Sequence, residues 1–250
     1  MALFADDSGL KGFSLRRAGW IRRDEYSLLL SALPRLPYRL TSEPVPISRT
    51  RLWARLDLLH TEHRQILKRI IHVLSWEIKP LAPKHKDKVL QADTQRLLAD
   101  LDYTALGSLL RQRLDLRSVV AALQYRLQHP DQAPQGDWTP SSLRSMIQRK
   151  WHQADFGLSG QFPYVLPVAQ RMQQHETLQV EKTVFEWLLR QLRCHAQRDT
   201  YSFVAVVMYW MQWDLLDRWG RYHEQAAAQR LGKQLEQCLA SPAFTDLLSL

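Results

Sequence analysis

The chain has 250 residues, of which 45% are hydrophobic and 24% charged, the proportions of an ordinary globular protein rather than of a disordered or fibrous chain. The longest apolar run, residues 203–211, has nine residues, whereas a membrane-spanning helix needs about 20. The two cysteines, Cys194 and Cys238, lack the spacing of a zinc site or a redox pair. We therefore expect a cytoplasmic protein in a reducing setting.

A formal net charge of +9 raises the question of a polyanionic partner, since clustered Lys and Arg attract nucleic acids and anionic membranes. Much of the positive charge is interleaved with Asp and Glu, a pattern that is typical of a solvated helix surface. The charge by itself therefore leaves polyanion binding open as an alternative function.

The first 25 residues differ from the rest of the chain because they lack a periodic apolar face. They contain no long apolar core with a small-residue cleavage site, so they do not have the pattern of a secretory signal. Their arginines are Arg16, Arg17, Arg22 and Arg23. We predict a mobile N-terminal arm over 1–25 and a helical domain over 26–250, within which 26–137 and 138–250 are candidate sub-bundles.

Twelve prolines mark where helices can run, because proline breaks helix interiors. The proline-free stretches are 47–79, 84–129, 141–162 and 168–241. None of them shows the alternating pattern of a sheet, and only 26–33 and 203–208 are ambiguous in this respect. The sequence therefore predicts an all-α protein, an irregular multi-helix bundle.

In the first proline-free stretch, apolar residues recur at three- and four-residue steps, which predicts one helix with a single buried face. Ser48 is its predicted N-cap. The face comprises Leu52, Leu56, Leu59, His63, Ile66, Ile70 and Val73. The second stretch is predicted to divide near Gly107 into two helices. The earlier carries Val89, Leu97, Leu98 and Leu101, and the later carries Val119, Val120, Leu123 and Leu127.

The second half of the chain is predicted to contain three further helices. Thr139 caps the first of them, with Pro140 at its first helical position. The other two are long, one from 177 to about 197 and one that is capped by Asp199 and extends to about 239. Because the connection between these two is short, we expect a long C-terminal antiparallel helical hairpin.

The segment Ala154-Asp155-Phe156-Gly157-Leu158-Ser159 matches the metal-binding segment of protein kinases letter for letter. A kinase also needs a glycine-rich loop over the phosphates, a strand lysine and a His-Arg-Asp catalytic loop. The sequence contains none of these. We therefore interpret Gly157, Gly160 and Pro163 as residues that shape a turn between helices.

Two other pairs of reactive side chains also have structural interpretations. His60 and His63 lie three residues apart on a helix, but zinc needs two further ligands that the sequence does not supply. Because His63 lies on the apolar face, we interpret it as a partly buried core histidine. Cys194 and His195 would point about 100° apart on a helix and do not form a nucleophile and base. We expect no catalytic residue, no metal and no cofactor.

The aromatic residues of the last helix allow a structural and a functional interpretation. Trp210 and Trp213 are spaced to pack against the preceding helix or to form an exposed stripe for a partner helix, and aromatic residues are enriched at interface hot spots. We assign Trp210, Trp213, Arg22 and Arg23 as candidate partner-binding residues, on the condition that the tryptophans are exposed.

Three segments carry a resemblance to a known family. They are Tyr26-Ser-Leu-Leu-Leu-Ser-Ala-Leu-Pro-Arg-Leu, Leu116-Arg-Ser-Val-Val, and Val184-Phe-Glu-Trp-Leu-Leu followed by residues 203–219. Over roughly 26–239 the chain resembles short helical proteins that are encoded beside bacterial vacuolar-type ATPases. That family is similar to a reduced form of the funnel-shaped component of rotary ATPases, called d in eukaryotes, which joins the central rotor to the membrane ring.

The resemblance implies a non-catalytic adaptor of a rotary ATPase that couples ATP to ion transport. Its partners would be the rotor stalk and the membrane ring, at the inner face of the cell membrane, and no catalytic residue is implied. The alternative is a basic helical module that binds nucleic acid or an anionic membrane surface. That module would use the N-terminal arginines together with Lys84, Lys86 and Lys88.

Overall fold

The computed structural model describes residues 25–41, 43–74, 84–101, 104–136, 138–196 and 200–239, and the side chains of these residues except 84–90, 196 and 223–239. Within these ranges every regular element is an α-helix, which confirms the predicted all-α fold class. The helices are α1 (Ser27–Ala32), α2 (Arg49–Leu56), α3 (Thr61–Leu74), α4 (Lys84–Asp100), α5 (Ala105–Gln128), α6 (Arg144–Arg149), α7 (Val165–Gln173), α8 (Thr177–Ala196) and α9 (Phe203–Leu239). No helix in the described ranges is both long and apolar enough to cross a bilayer.

The single helix predicted after Ser48 is in fact two helices, α2 and α3. The Ser48 hydroxyl accepts from the backbone N–H of Arg51 at 3.4 Å, so the predicted N-cap is confirmed. The chain then leaves the helix over 57–60, where the Arg64 side chain donates to the carbonyls of Asp57 and Leu59. The predicted face is nevertheless buried throughout. Periodicity alone could not reveal this break, because the break leaves the buried face in register.

The second stretch divides at 101–104, a few residues before Gly107. The Thr104 hydroxyl accepts from the N–H of Gly107 at 3.1 Å and caps α5, so Gly107 lies inside the first turn of that helix. A glycine is required there because a Cβ atom would approach the carbonyl oxygen of Leu101 more closely than 3.0 Å. Leu127, predicted on the apolar face of α5, is 48% exposed. The side chain of Val89 lies outside the described residues.

The predicted helix cap at Thr139 is wrong, and Pro140 does not begin a helix. The buried Thr139 hydroxyl accepts from the backbone N–H of Ser141 at 3.4 Å, and it also hydrogen-bonds to the hydroxyl of Ser118 on α5. Helix α6 begins only at Arg144. Thr139 thus bonds both to the local backbone and to a residue 21 positions earlier in the chain, but no helix begins at this position.

A second buried hydroxyl fixes the same segment against α5. The Ser141 hydroxyl donates to Asp115 Oδ1 at 2.5 Å and accepts from the N–H of Leu143 at 3.0 Å. Burial raises the pKa of Asp115, and the hydrogen bond from Ser141 opposes that shift. The buried hydroxyl groups of Thr139 and Ser141 are therefore hydrogen-bonded inside the bundle, as most buried polar groups are.

Helices α8 and α9 pack against each other in opposite directions. The Tyr222 hydroxyl on α9 donates to Glu181 of α8 at 3.1 Å, whereas the ring of Trp219, earlier on α9, meets Phe185, later on α8, at 6.3 Å. Helix α8 has the predicted extent within one residue, and α9 ends where predicted. The connection at 197–199, with the proposed Asp199 cap, lies outside the described residues, so the complete hairpin stays a prediction.

One hydrophobic core joins the two proposed sub-bundles. The core cluster contains buried residues from both sides of the 137/138 boundary. Backbone and side-chain hydrogen bonds cross the boundary as well: the N–H of Tyr26 donates to the carbonyl of Tyr201 at 3.0 Å, and the Trp213 indole donates to the carbonyl of Ile47 at 2.8 Å. The two proposed sub-bundles, 26–137 and 138–250, therefore contribute to one hydrophobic core.

Candidate functional site

Trp210 and Trp213 do not meet the condition on which their assignment as partner contacts depended. Their side chains are only 6% and 2% exposed. The first half of α9 is covered on most sides by the rest of the bundle, and the Trp213 indole is hydrogen-bonded to the backbone before α2. The core-packing interpretation is correct for both residues, and neither is available on the surface described.

The basic clusters of the alternative hypothesis lie outside the side chains that the structure describes. Arg22 and Arg23, like Arg16 and Arg17, lie in the part of the arm outside the described residues. Lys84, Lys86 and Lys88 belong to α4, but their side chains are likewise not described. Their proposed roles in binding stay predictions.

The kinase-like segment forms a turn, as predicted. The Asp155 carboxylate accepts from the N–H groups of Gly157 at 2.9 Å and Ser159 at 3.2 Å, so it is engaged by its own loop. Phe156 and Gly157 have φ values of 54° and 68°, the left-handed conformation of a tight turn. Arg126 lies 4.3 Å from the centre of the Phe156 ring and donates to three carbonyls of the loop. This turn is held by packing against α5.

His63 is a core histidine, as its position on the apolar face predicted. It is 6% exposed, its ring stacks on Phe203 with centroids 4.2 Å apart, and its Nδ1 lies 2.6 Å from the Tyr26 hydroxyl. His60 Nε2 lies 3.3 Å from a carboxylate oxygen of Glu25. Among the residues whose side chains are described, no three His, Cys, Asp or Glu groups are close enough to hold a metal ion.

Tyr26 and Tyr164 are both buried, but only the Tyr26 hydroxyl has a hydrogen-bond partner among the described residues, so removing each hydroxyl should affect stability differently. We expect Tyr26→Phe to lower the free energy of unfolding by about 1–3 kcal/mol, because it leaves Nδ1 of His63 buried without that partner. Tyr164→Phe should cost nothing or stabilise slightly, because the buried Tyr164 hydroxyl has no hydrogen-bond partner within the described ranges. Urea unfolding followed by circular dichroism measures both. Equal losses in the two variants would contradict the assigned hydrogen bonds.

The protonation of His63 should make stability depend on pH. Burial lowers its pKa below the ordinary 6.5, and this effect outweighs the raising influence of Glu25 and Glu62 and adds to the lowering influence of His60. The folded state therefore favours the neutral ring, so this contribution is complete above the unfolded-state pKa and is lost as the pH falls through the folded-state pKa. We expect the unfolding free energy to fall as the pH drops below the ordinary histidine pKa of 6.5 and towards the lower folded-state pKa. An NMR titration in which His63 protonates at or above 6.5 would contradict this.

The structure brings together an arginine-rich surface that the sequence reasoning missed, which we name the Tyr38 surface. It consists of Arg35, Tyr38, Arg39, Arg190 and Arg193. Arg193 donates to the carbonyls of Pro37 and Tyr38, and its guanidinium lies 4.1 Å from the centre of the Tyr38 ring. Arg190 lies one turn earlier on the same face of α8. The surface thus combines two arginines of the loop that carries Tyr38 with two arginines of α8, of which Arg193 contacts the tyrosine.

The loop that carries Tyr38 is held in a defined position. Pro34 and Pro37 prevent α1 from continuing, because proline cannot donate a helical hydrogen bond. The Tyr209 hydroxyl on α9 donates to the carbonyl of Pro34 at 2.8 Å, so the loop is fixed at this point as well as at Arg193. Tyr38 is nevertheless 79% exposed. The available sequence signal was the Pro-Arg-Leu-Pro-Tyr-Arg run, in which two arginines flank an aromatic residue that follows two prolines.

Three of the four arginines in the Tyr38 surface form no ion pair with the side chains that the structure describes. Within the described part of the chain, Arg35, Arg39 and Arg190 are exposed and make neither an ion pair nor a side-chain hydrogen bond. Residues 26–40 and 187–196 contain no Asp or Glu. The described side chains therefore leave these guanidinium groups available to a partner.

Comparison with known proteins yields no matching family model, no curated protein and no solved structure with significant similarity to this chain.

Proposed function

We propose that this protein is a non-catalytic adaptor of a bacterial vacuolar-type ATPase, which joins the central rotor to the membrane ring and so takes part in ion transport coupled to ATP. The observation that supports the proposal is the continuous core that unites the early helices with α8 and α9. An adaptor that transmits torque needs such stiff packing more than it needs a cleft with reactive side chains. The family resemblance over roughly 26–239 supplies the identity of the assembly.

The bonds between distant parts of the chain support a rigid connector in particular. Tyr209 of α9 is bonded to residue 34, Trp213 to residue 47 and Arg193 of α8 to residues 37 and 38. The long helices α8 and α9 are thereby bonded to the segment 33–48 that connects α1 to α2. In this proposal the protein is cytoplasmic and reaches the inner face of the membrane through the other components of the ATPase.

The adaptor proposal predicts that the protein co-purifies with rotor and ring components of a vacuolar-type ATPase and shows no ATP hydrolysis when isolated. A gentle affinity purification with mass spectrometry measures the first, and a phosphate-release assay with magnesium measures the second. Asp155→Ala provides the matched control for any residual hydrolysis. Recovery of nucleic acid in a salt-sensitive way, without ATPase components, would contradict the adaptor and favour the alternative.

That alternative, binding to nucleic acid or to an anionic membrane surface, is supported by one specific observation. The Tyr38 surface combines four arginines with an exposed aromatic ring, and such combinations bind phosphate groups and stack on bases. The overall charge of +9 has the sign that this function requires.

A further inference from the structure

We propose that the Tyr38 surface is the docking site for a carboxylate-rich segment of a partner protein. The identity of the partner rests on the proposed adaptor function, but the binding of acidic segments to this surface can be tested separately. The surface carries positive charge that a carboxylate-rich segment would complement. Arg35, Arg39 and Arg190 have no acidic partner within the described ranges, and guanidinium groups pair with carboxylates through two parallel hydrogen bonds.

The loop that carries Tyr38 is held in place by hydrogen bonds from α8 and α9. Arg193 and Tyr209 hold the loop backbone, and the Arg193 guanidinium contacts the Tyr38 ring, so the loop is ordered before any partner arrives. A contact residue that is ordered in advance costs less entropy to bind. Tyrosine and arginine are also the residues that most often dominate the energy of protein interfaces.

The limited extent of the surface distinguishes a protein partner from a phosphate polymer. A nucleic acid that gains its affinity from phosphates needs a basic track long enough for several contacts. Here exposed Glu186 lies one turn before Arg190 on α8, and exposed Glu43 lies after Tyr38 in the same connection between α1 and α2. A phosphate chain leaving the surface in either direction would approach a carboxylate. A compact acidic segment with an apolar residue for Tyr38 fits the same surface without that repulsion.

The test uses the full chain and three fluorescent probes: a glutamate-rich peptide with leucines, a single-stranded DNA of similar charge, and vesicles containing an anionic phospholipid. We expect the peptide to bind, with a dissociation constant that rises about tenfold or more in the double variant Arg35→Glu and Arg39→Glu. Tyr38→Ala should weaken binding in the same direction. Melting curves check that the variants remain folded, as expected because neither arginine has a partner among the described residues.

The matched control is the double variant Lys68→Glu and Arg149→Glu, which changes the net charge equally at exposed positions outside the surface. It should alter peptide affinity by less than about threefold. An equal loss in the control would overturn the proposal in favour of non-specific attraction. Tighter binding of DNA or vesicles, lost in the Arg35 and Arg39 variant, would overturn it in favour of those ligands, as would the absence of peptide binding.

Peptide binding and the recovery of ATPase components test the docking site and the adaptor function separately. If ATPase components are recovered equally well with wild type and with the Arg35 and Arg39 variant, the adaptor function stands and the docking site is refuted. If the peptide binds as expected but no ATPase component is recovered, the surface chemistry stands and the adaptor function is refuted.

Discussion

Trp213→Ala should lower the free energy of unfolding by about 3–5 kcal/mol, the usual cost of removing a large aromatic side chain from a packed core. The indole is 2% exposed. Its N–H also donates to the carbonyl of Ile47 at 2.8 Å, so the substitution removes the partner of a backbone group in a segment far away in sequence. Both the cavity and the lost hydrogen bond act in the same direction.

Two further variants serve as comparisons for the stability loss expected in Trp213→Ala. Trp213→Phe keeps most of the packing and loses the hydrogen bond, so it should cost less than the alanine variant. Leu58→Ala removes a side chain that is 73% exposed and should change stability by no more than about 0.5 kcal/mol. Urea unfolding of the three variants gives the comparison. If Trp213→Ala were as mild as Leu58→Ala, the tryptophan would not be in the core, and its assignment as a partner contact would return.

Gly107→Ala should destabilise the protein by about 1–3 kcal/mol or more, although alanine is ordinarily the better helix former. The added Cβ would lie within 3.0 Å of the carbonyl oxygen of Leu101, which is backbone and cannot rotate away as a side chain could. The first turn of α5 would have to move, and with it the cap that Thr104 provides. Thermal and urea unfolding would both record the loss.

Gly160→Ala is the matched control for this prediction. No atom lies within 4 Å of a Cβ built at Gly160, and its φ is not in the left-handed region. The substitution should therefore be neutral or should stabilise by up to about 1 kcal/mol, because alanine restricts the unfolded chain. The free energy of unfolding should thus fall in Gly107→Ala and should stay the same or rise in Gly160→Ala. Similar responses would show that α5 does not approach Leu101 as closely as described.

Periodicity predicted which residues are buried more reliably than it predicted where helices end. His63 and Ile70 lie in the core as expected, yet the helix that was to carry both them and Leu52 is interrupted at 57–60. Apolar spacing records which side of the chain faces inward, and that side is the same before and after the interruption. The break itself depends on the Arg64 side chain, which bonds to carbonyls that the helix leaves without partners.

Local sequence therefore determined the helical character of the chain and the course of the long helices α8 and α9, because both depend on side chains three or four residues apart. The tertiary structure alone decided which surfaces are covered. It buried Trp213, bonded the Thr139 hydroxyl to Ser118, and placed Arg193 of α8 against the loop that carries Tyr38. That loop and Arg193 are about 155 residues apart in sequence, and only the packing of the bundle brings such distant residues together.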